Sequence, residues 1–120
     1  MQLVSSAAWL RHLHTMRATL LQRRDVLVAA IRTHLGGSSI VRVPRGGFHL
    51  WVRLPPEMTD LDMARAAARS GVLVSPGRYW FPAECSSSYL RLTFAAAPPE
   101  QLRRAAKLLG STLAGDKLSA

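Results

Sequence analysis

From Ala7 to Leu35 the residues Trp9, Leu13, Met16, Leu20, Leu27, Ile31 and Leu35 recur at spacings of three, four or seven, which is one face of an α-helix. Ser5 or Ser6 can cap its start, and Gly36-Gly37 can end it. At about 1.5 Å per residue such a helix reaches roughly 40 Å, whereas a compact chain of 120 residues has a radius of gyration of about 14 Å. The helix must therefore kink or overhang. A second row, Leu10, Leu21 and Val28, widens the apolar stripe, so an overhang exposes surface that ordinarily lies against more protein.

The remaining chain reads as short elements. Ile40-Val41-Arg42-Val43 is β-branched, and Phe48 to Leu54 alternates with period two; the turn Pro44-Arg45-Gly46-Gly47 between them predicts a hairpin. Pro55-Pro56 ends the second strand. Thr59 with Asp62 resembles a capping box opening an alanine-rich helix to Ser70, which Gly71 stops. Val72-Leu73-Val74 predicts a short strand, Ser75-Pro76-Gly77 a turn, Tyr79-Trp80-Phe81 an aromatic cluster, and Pro82 to Ser88 a loop. In Tyr89 to Phe94, Leu90, Leu92 and Phe94 face one way and Tyr89, Arg91 and Thr93 the other. Pro98-Pro99-Glu100 starts a last helix carrying Leu102, Ala105, Leu109 and Leu113 on one side. The expectation is a single α+β domain over residues 1–120, with residues 1–5 and 115–120 frayed. A small, mostly antiparallel sheet of three or four strands packs against a long N-terminal, a short middle and a C-terminal helix.

Composition sets the outer limits. The 48% hydrophobic and 19% charged residues support a core and exclude a disordered tail. Sixteen Lys+Arg against seven Asp+Glu give a net charge of +9, compatible with nucleic acid, an anionic membrane surface or an acidic substrate. Fourteen of the sixteen are Arg, beside seventeen Ala, a pattern that also matches the bias of a GC-rich genome. Cys85 is the only cysteine, which excludes an internal disulfide and a thiolate metal cluster and fits a cytoplasmic chain. No apolar run is long enough to span a bilayer, and the start lacks the pattern of a signal peptide, so no membrane association is expected.

Among candidate sites, His12, His14, His34 and His49 lack convergent ligand spacing, and His12 and His14 point to different helix faces. No metal site is expected. Cys85 has no base at a telling spacing and reads as an inert thiol. Arg11, Arg17, Arg23, Arg24 and Arg32 could track phosphates with Trp9 stacking, which would make the chain a stand-alone basic module. The blander account is a solvated arginine face, because the aromatics fall on the apolar stripe. Arg91, mid-strand between Leu90 and Leu92, must face solvent or find an anion, and periodicity alone favours solvent.

Four ordered segments change that weighting: Arg23-Arg24-Asp25 in a long helix; Val43-Pro44-Arg45-Gly46-Gly47-Phe48-His49-Leu50-Trp51-Val52; Gly71-Val72-Leu73-Val74-Ser75-Pro76-Gly77; and Tyr89-Leu90-Arg91-Leu92-Thr93-Phe94-Ala95. Together they resemble the C-terminal lobe of class I/II, fold-type I, pyridoxal-phosphate aminotransferases. The likeness is greatest to the aminotransferase-like part of GntR-type regulators of the MocR group and to 2-aminoadipate-type transaminases, and covers roughly residues 5–114. The resemblance implies that Arg91 binds the α-carboxylate of an amino-acid substrate or effector as a bidentate pair. It places Gly46, Gly47 and Phe48 near that carboxylate and Ser75, Pro76 and Gly77 at the border of the substrate entrance. Arg78-Tyr79-Trp80 departs from the small residues more usual after the Pro-Gly.

The resemblance also defines what lies elsewhere. Neither Lys107 nor Lys117 has the surroundings of a Schiff-base lysine, and the acid and phosphate cup that hold the cofactor have no counterpart. No pyridoxal phosphate is therefore expected on this chain alone. The implied partners are a cofactor-binding large lobe of the same protein, an amino acid, and a second copy in a homodimer. DNA would be bound only through a winged helix outside this chain, if the parent is a transcription regulator.

Overall fold

The structure is a computed structural model that describes residues 6–80, 87–95 and 97–119. Helix α1 spans Ala7–Leu35 without a break, 29 residues long. Ser6 caps it by accepting the Trp9 N–H at 3.1 Å, and Gly36, at φ 101°, turns the chain out of it. Only its C-terminal half is anchored, with Leu27, Val28 and Ile31 in the core, while Trp9, Leu10, Leu13 and Met16 remain exposed. The helix therefore overhangs. The molecule is 59 Å in its longest dimension with a radius of gyration of 16.4 Å, above the roughly 14 Å of a compact chain this size.

Strand β1 is His49–Arg53, helix α2 Asp60–Arg69, β2 Ser75–Pro76, β3 Tyr89–Thr93 and helix α3 Pro99–Ser119. Short 3-10 turns occupy Gly37–Ser39 and Gly77–Tyr79. The sheet runs β1-β3-β2, with β3 antiparallel to both neighbours. Thr59 caps α2 by accepting the Asp62 N–H at 3.2 Å. Leu50 and Val52 of β1 with Leu90 and Leu92 of β3 form one buried face. Against them pack Leu27 and Ile31 of α1, Met63 and Ala67 of α2, and Leu102, Ala106, Leu109 and Leu113 of α3. Helix α3 meets the end of α1 closely, since a Cβ on Gly110 would lie 2.6 Å from the His34 carbonyl oxygen. This is the α+β architecture expected, with three strands. Among the described residues no helix is long and apolar enough to cross a membrane.

Two strands expected from the sequence do not form. Ile40 to Val43 is not paired: Ile40 is buried but Val41 and Arg42 are exposed, so the segment lacks alternation. Neighbouring carbonyls are taken by side chains instead, Ser38 by Arg53 at 2.9 Å and Pro44 by Arg24 at 3.0 Å. Tertiary context here overrides β-branched propensity. At Val72 to Val74, the Val72 N–H closes α2 by donating to the Ala67 carbonyl at 2.9 Å, and Leu73 is 89% exposed. Pairing with β3 begins only at Ser75 and Pro76, residues expected to form a turn.

Candidate carboxylate-binding site

Because side chains alternate along a strand, the sheet face opposite the core carries His49, Trp51 and Arg53 from β1 and Tyr89, Arg91 and Thr93 from β3. Arg91 stands at its centre, with Trp51 and Ser75 as its cross-strand partners on the two sides. Its guanidinium carbon lies 3.5 Å from the centroid of the Trp80 ring. The indole Nε1–H in turn donates to Ser75 Oγ at 3.0 Å. Arg91 Nε is buried and has no hydrogen-bond acceptor among the described residues. A half-buried cation with an unmet N–H donor is a site complementary to an anion with paired oxygens.

The segment that carries Trp80 is held in three ways. Ser75 and Pro76 pair with Arg91 and Leu90. Gly77 lies against Tyr89 so closely that a Cβ would sit 2.6 Å from the Tyr89 carbonyl oxygen, which leaves room for glycine only. Asp60, in the first turn of α2 and 3% exposed, accepts the Arg78 backbone N–H at 3.0 Å and the Arg78 Nε–H at 2.9 Å. Burial alone would raise the Asp60 pKa. The Arg78 side chain and amide, with the Leu61 amide, outweigh it and hold the carboxyl below its ordinary range. On the site face, burial and then the positive charge of Arg91 push the His49 pKa down.

The structure thus gathers Arg91 with Ser75, and brings Pro76 and Gly77 beside it. Gly46, Gly47 and Phe48 line a groove of about 840 Å³ with Leu13, Met16 and Phe94, along the exposed half of α1. Arg23 donates to the Ala95 carbonyl at 2.6 Å and Arg24 to that of Pro44, so two of the five helix arginines serve the fold. Arg11, Arg17 and Arg32 remain exposed. Among the described residues no three His, Cys, Asp or Glu side chains come together to hold a metal; Cys85 lies outside the described residues. Lys107 is on the exposed side of α3, which packs on the core face, across the sheet from Arg91. Trp80, Asp60 and Arg78 escaped the sequence reading as site residues, although Arg78-Tyr79-Trp80 stood out as a departure after the Pro-Gly.

Comparison with known proteins agrees with this architecture. Residues 2–109 match the family model described as aminotransferase class I and II. The chain is 31% identical over 104 residues to aminotransferase tdiD of Emericella nidulans, covering 84% of this chain and 24% of that one. It is 28% identical over 106 residues to the HTH-type transcriptional regulator YdfD of Bacillus subtilis, covering 88% and 22% respectively. The fold superposes with a TM-score of 0.82 on LysN, an α-aminoadipate aminotransferase of Thermus thermophilus, at 21% identity over 95% of this chain and 29% of that one. On kynurenine aminotransferase of Pyrococcus horikoshii the TM-score is 0.80 at 23% identity, over 92% and 27%. The chain spans about a quarter of the length of the curated relatives it matches. A buried sheet face under three helices, an arginine at the centre of the other face and a family match over residues 2–109 lead to one assignment: the chain belongs to the aminotransferase class I and II family.

Proposed function

We propose that this chain is the small, carboxylate-binding lobe of an aminotransferase-like protein whose other lobe holds pyridoxal phosphate. The observation that carries this reading is Arg91: a half-buried guanidinium at the centre of the sheet, with a buried Nε–H that has no acceptor among the described residues. An α-carboxylate offers two oxygens in the plane the guanidinium fork needs. Ser75, Pro76 and Gly77 border that edge. Gly46, Gly47 and Phe48, which line the α1 groove, are the residues that the family resemblance puts near the carboxylate.

The described residues do not fit pyridoxal phosphate on their own. Lys107 faces away across the sheet, and among the described residues this face offers no acid for the pyridine nitrogen. The isolated chain is therefore inactive in transamination. Pyridoxal phosphate added to it should give no stable, stoichiometric internal-aldimine band; the appearance of one would overturn this statement.

The relatives include both enzymes and HTH-type regulators, so the parent acts either as a transaminase of an amino acid or as a GntR/MocR-type regulator that senses one. A winged helix upstream in the gene distinguishes them. Either parent would work as a homodimer, and only the regulator would contact DNA. The test of the site is Arg91→Ala and Arg91→Lys in the two-lobed protein. Amino-acid binding should weaken by about 2–5 kcal/mol, the cost of truncating one partner of a desolvated charge pair. Unchanged affinity would remove Arg91 from the carboxylate role.

A further inference from the structure

An arginine that is to grip a carboxylate has a geometric difficulty. Its long side chain is mobile, and the usual way to fix it, an acidic neighbour, consumes the same N–H donors the ligand needs. The ion pairs of Arg24 with Asp25, Arg78 with Asp60 and Arg103 with Glu100 leave Arg91 out. What touches its guanidinium is the Trp80 ring, face-on at 3.5 Å. A π-face attracts a cation without accepting any in-plane N–H bond, so the guanidinium can be held flat while its in-plane donors stay unused.

The indole is itself fixed from outside the site. Its Nε1–H is tied to Ser75 Oγ at 3.0 Å, and Ser75 is the cross-strand partner of Arg91. Two residues earlier, Arg78 is clamped to the buried Asp60 through both its backbone and its side chain. The tight Gly77–Tyr89 approach leaves the turn no latitude to slide along β3. A tryptophan that is 51% exposed is thus held by neighbours none of which needs it for the core.

We propose that Trp80 is a positioning residue for carboxylate binding: it stacks on one face of Arg91, sets the plane of the guanidinium, and leaves the N–H edge to the ligand. This rests on the reading of Arg91 as the carboxylate group. A ligand then meets Arg91 edge-on, with the indole as the wall beside its carboxylate.

The experiment is a titration of the ¹⁵N-labelled chain with sodium acetate at constant ionic strength, sodium chloride serving as the non-carboxylate control, read at the Arg91 Nε–Hε resonance. In the wild-type chain that proton should be shifted upfield by the indole ring current and should move saturably with acetate but not with chloride. Trp80→Ala should abolish the ring-current shift and weaken acetate binding by about three- to thirtyfold, the range expected for a cation–π contact. Trp80→Phe should recover most of both. Acetate affinity unchanged in Trp80→Ala, or a loss that Phe fails to recover, would overturn the positioning role while leaving Arg91 as the carboxylate site. No acetate-specific response at Arg91 in the wild-type chain would instead remove the carboxylate reading, and this proposal with it.

Discussion

Leu90 and Arg91 are adjacent in β3 and share one backbone ladder, yet the sheet gives them opposite surroundings. Leu90 is fully buried with Leu50, Val52 and Leu92 beneath three helices. Arg91 looks the other way, between Trp51 and Ser75, with one indole against it. The core face packs apolar against apolar. The site face holds Arg91, whose Nε–H has no acceptor among the described residues, which destabilises the protein slightly but is what a ligand reads. One period-two strand therefore divides stability and recognition residue by residue.

Three substitutions can break or sharpen that division. The largest effect is expected from Leu90→Ala, which should lower the unfolding free energy by about 2–5 kcal/mol, seen as a lower urea midpoint. A loss below about 1 kcal/mol would mean that the core face is not tightly packed there. Asp60→Asn, which leaves Arg78 without its anion, should cost about 1–3 kcal/mol, with the half-exposed Arg78 regaining water and keeping the figure modest. Because folding lowers the Asp60 pKa, its contribution is complete above the ordinary value of 3.8 and is lost as pH falls through the folded value. The Asn variant should therefore show a flatter acid limb in stability against pH. An acid limb identical to wild type would show that Asp60 is not the group responsible.

The smallest change in stability, under about 1 kcal/mol, is expected from Arg91→Gln, since the Arg91 Nε–H has no acceptor among the described residues. Its signature lies instead at His49. Removing the Arg91 charge should raise the His49 pKa part of the way back, burial continuing to hold it down. The lowered His49 value means that stability is complete above 6.5 and falls as pH drops through the folded value, so the variant should lose less in that window. A ring titration of His49 by NMR checks this. If Arg91→Gln cost as much as Leu90→Ala, the two faces would contribute alike and the division would fail.

Features written in a few consecutive residues were legible beforehand. Ser6 and Gly36 bracket α1, Thr59 opens α2, and the alternation of Tyr89 to Thr93 fixes which side Arg91 takes. Periodicity alone favours solvent for Arg91; the family resemblance supplied the ligand. The strands expected at Ile40 to Val43 and Val72 to Val74 were lost to hydrogen bonds from residues elsewhere in the chain, such as Arg24 to Pro44 and Val72 to Ala67. The Trp80–Arg91 stack and the Asp60–Arg78 pair join residues 11 and 18 positions apart, across elements with no common period. Such contacts exist only once β2 has docked on β3.

The Gly110–His34 contact makes α1 a lever with its fulcrum near one end. From His34 to Ala7 the helix runs about 40 Å, so a tilt of about 5° at the crossing moves the far tip by roughly 3 Å. A side chain at position 110 would have to push α3 away from the His34 carbonyl. The aim of the overhanging apolar stripe, and hence how it meets whatever covers it, is therefore set by a glycine that never touches that stripe.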